Sequence, residues 1–175
     1  MELLAIDIET ANWGHIAEFG CVSIANGKLV NPYSWYIKPA CYPSFDAEHQ
    51  SVNKIDISLL ADAPTFDELW KNELKHVIRP DVLLIGHNVL FDVNCLCTEM
   101  DRYKIKRHVM RYFCTLEQSR KWLKGLDSYT LSNVCRFLNI EMKQAHRACF
   151  DAEASARIFC KLPKTHKGCI KYKNI

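Results

Sequence analysis

The stretch that most constrains this chain is its first, Leu3 to Thr10, which reads L-L-A-I-D-I-E-T. Its apolar residues describe a strand buried in the middle of a sheet, yet it carries Asp7 and Glu9. Side chains two apart on a strand project from the same face, so both carboxylates point at one spot. Holding two like charges together away from water is costly unless a cation compensates them. Taken alone, the pair has a plain alternative, an ordinary solvated strand end. Partners elsewhere in the chain decide between the two.

The remaining elements follow from pattern. Phe19 to Ala25 and Lys28 to Ile37 are β-rich and flank Asn26-Gly27, a strong signal for a tight hairpin whose two central residues need φ > 0. Pro32 places the third strand at an edge or a bulge. Residues 38–64 hold three of the six prolines and little periodicity, which predicts a long surface connection. Thr65-x-x-Glu68 is a capping box opening a helix with Phe66, Leu69, Trp70, Leu74 and Val77 on one side. Val82 to Gly86 is a continuous apolar run, as in a strand covered on both faces. Asn88 is the expected N-cap of a helix running to about Met100, and Val109 to Cys114 a further strand. Thr115-x-x-Gln118 reads as a second capping box, its helix ending near Gly125. Leu131, Val134, Cys135 and Leu138 repeat at helical spacing, and a last helix covers Phe150 to Leu162 before Pro163. Three strands joined by hairpin-type links, then strands alternating with helices, predict an α/β fold: a mixed five-stranded sheet flanked by helices. Its 175 residues suit one domain, expected over residues 1–162, with a short basic tail over 163–175.

The net charge of +3 is too small to require a nucleic-acid partner, but the charges are unevenly spread. Arg102 to Arg111 (R-Y-K-I-K-R-H-V-M-R) contains no acid, and neither does the stretch with Lys161, Lys164, Lys167, Lys171 and Lys173. Such clusters suit a polyanion or form a solvated basic face. The nine cysteines are odd in number and include no C-x-x-C pair. The N-terminus lacks a signal-peptide apolar run, and no stretch approaches the length of a membrane span. Free thiols in a reducing, cytoplasmic compartment, with no membrane partner, are the natural expectation. Cys95 with Cys97, or Cys41 with His49, have the look of zinc-site fragments. Buried thiols acting as small apolar residues account for them better.

Two later segments answer the opening strand. In Gly86-His87-Asn88-Val89-Leu90-Phe91-Asp92 an apolar strand runs into a helix whose first turn carries Asp92. Alone, that is an acid favoured by the helix dipole. In His146-Arg147-Ala148-Cys149-Phe150-Asp151-Ala152 the histidine and acid are too far apart to share one helical face, so His146 belongs in the turn and Asp151 in the helix. Alone, these are a loop histidine and a capping acid. Together, D-I-E-T, H-N-x-x-F-D and H-x-A-x-x-D-A resemble, in order and spacing, the three motifs of the DEDDh group. This is the DnaQ-like 3′–5′ exonuclease superfamily, on the ribonuclease H-like fold. Ala61-Asp62-Ala63-Pro64-Thr65-Phe66 and Gly125-Leu126-Asp127-Ser128-Tyr129-Thr130-Leu131 resemble intervening segments of the same family. The likeness covers about residues 3 to 160, and is closest to the proofreading-type exonucleases of bacterial DNA polymerase III.

That resemblance implies Asp7, Glu9, Asp92 and Asp151 as metal-binding carboxylates and His146 as general base. The implied cofactors are two Mg²⁺ or Mn²⁺ ions, which stabilise the attacking and leaving oxygens of phosphodiester hydrolysis. It places Glu9, Thr10 and Ala11 at the terminal nucleotide. Trp13 is positioned to stack on a base, although packing on the sheet explains it equally well. Asn88, with His87, becomes a supporting or capping residue beside the substrate. The implied substrate is the 3′ end of single-stranded DNA, released as nucleoside 5′-monophosphates, with a DNA polymerase as candidate partner. RNA is the alternative substrate, and a non-catalytic nucleic-acid or polymerase binding module the alternative role. Two departures stand out: Val52-Asn53-Lys54-Ile55 where the family often has H-G-I, and Cys114-Thr115-Leu116 for its frequent D-T-L. His49 and His108 receive no role.

Overall fold

The computed structural model describes residues 2–162 and 171–173. Its centre is a six-stranded mixed sheet in the order β3-β2-β1-β4-β5-β6. The strands are β1 (Glu2–Asn12), β2 (His15–Ala25), β3 (Lys28–Tyr36), β4 (Val82–Gly86), β5 (Met110–Cys114) and β6 (Lys171–Lys173). Five of these are the expected strands. The sixth comes from the basic tail and pairs antiparallel with β5, Lys171 opposite Tyr112; the rest of that tail lies outside the described residues.

The β2–β3 hairpin turns through Asn26 (φ 52°) and Gly27 (φ 74°), as its dipeptide requires. Pro32 sits where the sheet tolerates it. β3 is an edge strand, and it carries an extra residue between the pairs Cys21–Tyr33 and Ser23–Val30. Alternation along β1 divides the molecule into layers. Leu4, Ile6 and Ile8 join a core with Phe66 and Leu69 of α2 (Phe66–Leu69) and with Val93, Leu96 and Met100 of α4 (Leu90–Arg102). Ala5 joins a second core on the opposite face with Val134 and Cys135 of α6 (Leu131–Phe137) and Ala152 and Ile158 of α7 (Ala148–Lys161). Cys21, Cys95, Cys97, Cys114 and Cys135 are buried in these cores as small apolar residues.

Several local expectations need correction. Residues 38–64 contain α1 (Ala47–Asn53), capped by the Asp46 carboxylate, and a 3₁₀ turn, Ile57–Leu60, capped by Asp56. A helix of two turns repeats its pattern too few times to register as periodic. The Thr65 capping box forms, its N–H donating to Glu68 at 2.9 Å. The helix it opens is split into α2 and α3 (Lys75–Val77) by a π-helical turn, Trp70–Leu74. Asn88 does not cap α4: it adopts a left-handed φ of 70°, and the helix starts two residues later. Thr115 does not cap α5 (Thr115–Trp122) either. It is the first helical residue, and its buried hydroxyl donates to the Gly86 carbonyl at 3.1 Å, tying the ends of β4 and β5 together.

Helix α7 lies directly on β1 and β2 through small residues, Ala148, Ala152, Ser155 and Ala156, all buried. The closest approach is at Gly20. A Cβ there would stand 2.1 Å from the Ala148 carbonyl carbon and 2.3 Å from the Cys149 nitrogen. Both neighbours are backbone, so relief requires moving the helix. Gly20→Ala should therefore destabilise the protein by about 3 kcal/mol, at the upper end of overpacking costs, as read by urea unfolding; a loss below about 1 kcal/mol would mean that α7 shifts freely.

Candidate active site

β1 pairs with β4 only as far as Ala5 opposite Ile85, and β4 stops at Gly86. Asp7 and Glu9 consequently stand beyond the carboxyl end of β4, where α/β sheets open a crevice. On the other flank Asp7 is opposite Gly20 and Glu9 opposite Glu18. Asp92 lies in the first turn of α4 and Asp151 in the first turn of α7, both buried. Two helix N-termini from opposite layers thus present an acid to the same strand end, and their dipoles favour the charged forms.

His146 occupies the turn before α7 with φ 60° and an exposed side chain. Its backbone N–H donates to Asp151 Oδ2 at 3.0 Å. The other oxygen, Asp151 Oδ1, is buried with no hydrogen-bond partner. Ligand atoms of Glu9, His146 and Asp151 all lie within 4.8 Å of one another. An unpartnered buried carboxylate oxygen facing other acids is the environment that a bound cation satisfies, and an oxygen-rich donor set suits a hard divalent ion.

The carboxylates repel one another. Burial, then the charges of Asp92, Asp151, Glu9 and Glu18, hold Asp7 well above the ordinary carboxylate range. Glu9 is pushed up to about 8 by burial, then Asp151 and Glu18, with Arg147 opposing. Asp92 is raised well above its usual value mainly by burial, against backbone hydrogen bonding from its own helix start and Ile8. Asp151 is raised by burial, against the His146 hydrogen bond and charge.

Beside Glu9 opens a pocket of about 250 Å³ lined by Ile8, Thr10, Trp13, His49, Asn53 and Phe91 among others. Trp13 is 79% exposed, standing edge-on to His49 and Phe91 at ring separations of 5.5 and 6.3 Å. It does not pack on the sheet. The Thr10 hydroxyl is 2.8 Å from His49 Nδ1, and Asn53 Nδ2 donates to the Thr10 carbonyl at 3.0 Å. His49 and Asn53 therefore line this pocket, although neither receives a role there from the sequence. Their signal was hidden because α1 was read as loop.

Other expected residues lie elsewhere. Ala11 is fully buried in a satellite cluster with Ala17, Ile55 and Leu60. Asn88 is exposed on the β4–α4 turn and does not line the pocket. His87 ties the site's rim together, Nε2 donating to the Tyr129 carbonyl at 2.8 Å and Nδ1 lying 3.0 Å from the Thr115 hydroxyl. The arginines of the basic run are occupied: Arg102 with the Gly14 carbonyl and Glu99, Arg107 with Asp101, Arg111 with the Pro80 carbonyl. Cys41 Sγ donates to the Ser44 carbonyl, apart from His49.

A family model described as exonuclease (RNase_T) matches residues 4–159. The chain belongs to that exonuclease family. It is thus a nuclease, an enzyme of the hydrolase class. The PolC-type DNA polymerase III of Caldanaerobacter subterraneus subsp. tengcongensis is 30% identical over 168 residues, 92% of this chain but 11% of that polymerase. Exonuclease X, solved in complex with 5′-overhanging duplex DNA, superposes with a TM-score of 0.70 at 22% identity, over 90% of this chain and 89% of its own. The nuclease domain of 3′hExo, a DEDDh family member solved with rAMP, gives 0.75 at 17% identity, over 99% and 96%. These likenesses establish the ribonuclease H-like α/β fold of the exonuclease. Among the described residues no helix is long and apolar enough to cross a membrane.

Raised carboxylates fix the sign of a pH effect. Glu9 binds its proton in the folded protein up to about pH 8 but near 4.5 when unexposed to these neighbours. Stability linked to it is present at low pH and lost as pH rises through that window. In EDTA, Asp7→Asn should melt several degrees above the wild type, a gap that widens between about pH 5 and pH 8 and shrinks when Mg²⁺ is added. Equal melting temperatures across that range would show that the acids do not repel.

Proposed function

We propose that this exonuclease removes nucleotides from the 3′ end of single-stranded DNA. The observation that carries the reading is the convergence of Glu9, His146 and Asp151 within 4.8 Å beside a pocket walled by aromatic rings. Asp7, Glu9, Asp92 and Asp151 hold two Mg²⁺ or Mn²⁺ ions, which when bound supply charge for the attacking and leaving oxygens. His146, exposed and held by its backbone to Asp151, takes a proton from the attacking water, a role suited to imidazole near neutral pH. The water oxygen bonds to phosphorus as the bond to the preceding nucleotide's 3′ oxygen breaks. A nucleoside 5′-monophosphate leaves, and the shortened strand keeps a 3′-hydroxyl.

Glu9 and Thr10 approach the terminal sugar, and Trp13, His49 and Phe91 receive its base. DNA is favoured over RNA because the PolC-type relative is a DNA polymerase by name, at higher identity than the fold neighbour solved with rAMP. Residues 1–162 form the catalytic unit on this reading, and a DNA polymerase is the candidate partner, in proofreading or repair.

The test is digestion of 5′-labelled DNA and RNA oligonucleotides with Mg²⁺, Mn²⁺ or EDTA. A shortening ladder on DNA that needs the metal, and falls at least about 10³-fold in Asp7→Ala and His146→Ala, is expected. Activity surviving EDTA would refute the mechanism, and a ladder on RNA alone would reassign the substrate. Trp13→Ala should raise KM for single strands about tenfold or more, the worth of one stacked base, with its melting temperature unchanged. Equal losses of affinity and stability would make Trp13 structural.

A further inference from the structure

Behind the acid cluster lies a fifth carboxylate that the exonuclease motifs do not include. Glu18 of β2 is only 1% exposed and sits opposite Glu9. Arg147 grips it with two nitrogens, Nη2 to Oε1 at 3.1 Å and Nε to Oε2 at 3.3 Å. The Ala148 N–H donates to the same Oε2 at 3.4 Å. Arg147 is the N-cap residue of α7, and its own side chain provides no cap hydrogen bond. Glu18 therefore caps the helix from a neighbouring strand, placing a charge at the dipole's positive end and satisfying an otherwise orphaned donor. On its other side the guanidinium lies 5.4 Å from the centroid of the Tyr36 ring on β3.

We propose that Glu18 and Arg147 are positioning residues: their pairing fixes the turn that carries His146 and the start of the helix that carries Asp151. Arg147 directly follows His146, whose φ of 60° leaves the turn no regular structure to hold it. Without the pair, His146 and Asp151 lose their placement against Glu9. An ion pair with one partner buried adds little net stability over apolar packing, so its worth here lies in geometry. The competing account is charge alone, in which Glu18 merely makes the crevice more attractive to cations. This inference rests on the exonuclease reading of the site, but its binding arm does not require turnover.

Glu18→Gln removes charge and grip together, whereas Arg147→Lys keeps the charge and removes the two-pronged grip. For each, and for the double variant, Mn²⁺ affinity of the metal-free protein is measured by calorimetry. Single-turnover rate and KM on a labelled DNA strand are measured beside melting temperature. Positioning predicts that both single variants fold, weaken Mn²⁺ binding about 3–10-fold and slow turnover at least about tenfold with KM nearly unchanged. It also predicts that the double variant is no worse than the worse single. If Arg147→Lys binds Mn²⁺ as tightly as wild type while Glu18→Gln does not, charge alone explains the pair and the proposal fails. Lower melting temperatures with unchanged affinity and rate would likewise sink it. Should Glu18→Gln not fold, Arg147→Lys decides by the same two readouts. A wild type that binds Mn²⁺ but cleaves nothing would overturn the function proposed above, while the binding comparison would still test positioning.

Discussion

The structure depends on how closely a helix can be laid against two strands. Asp151 reaches the β1 acids only because α7 rests on β1 and β2 through alanine and serine, with Gly20 beneath its first turn. A side chain at position 20 would lift the helix, and with it His146, away from Glu9. The sheet contributes the second constraint. Because β4 ends at Gly86 while β1 continues to Asn12, Asp7 and Glu9 are left without a strand on that side, and α4 fills the gap with Asp92. The site is thus a consequence of unequal strand lengths and one missing side chain.

The same convergence opposes folding. Four acids that lie near one another, each raised above its ordinary range, are tolerated through three kinds of compensation. Helix dipoles act on Asp92 and Asp151. Backbone N–H groups bond Asp92 and Asp151. Arg147 offsets part of the charge of Glu9 and Glu18. Asp151 Oδ1, buried with no hydrogen-bond partner, is an atom of this cluster that a cation would satisfy. Chemical demand and residual strain therefore coincide at one place, a common arrangement where function takes precedence over stability.

Much of this was legible in the chain. The strand-strand-hairpin opening and the covered run Val82–Gly86 follow from periodicity and dipeptide chemistry, which are local, whereas the grouping of His146 with Asp151 follows from the motif resemblance. What was not legible is non-local or short. Glu18 and Arg147 are 129 residues apart, and neither has a partner that spacing reveals. Asn88 and Thr115 carried the right chemistry for caps, but the fold uses them otherwise: Thr115 joins two strand ends, and Asn88 takes a left-handed turn just before α4. The sixth strand has only three residues, too few for any pattern.

The departure from the family's H-G-I becomes intelligible in the same terms. Lys54 has a φ of 57°, the left-handed conformation that glycine adopts freely and that costs an ordinary residue about 1–2 kcal/mol. The backbone here thus takes a conformation that glycine favours although a lysine stands in it. Asn53, in the place of the histidine, is buried and bonds both the Thr10 carbonyl and the Ile55 N–H. Its bonds pin the end of α1 to the end of β1. One helical turn earlier, His49 is bonded to Thr10 and stands edge-on to Trp13. A histidine thus lines the pocket from within α1, and the strain at Lys54 is the cost of the left-handed turn that ends that helix.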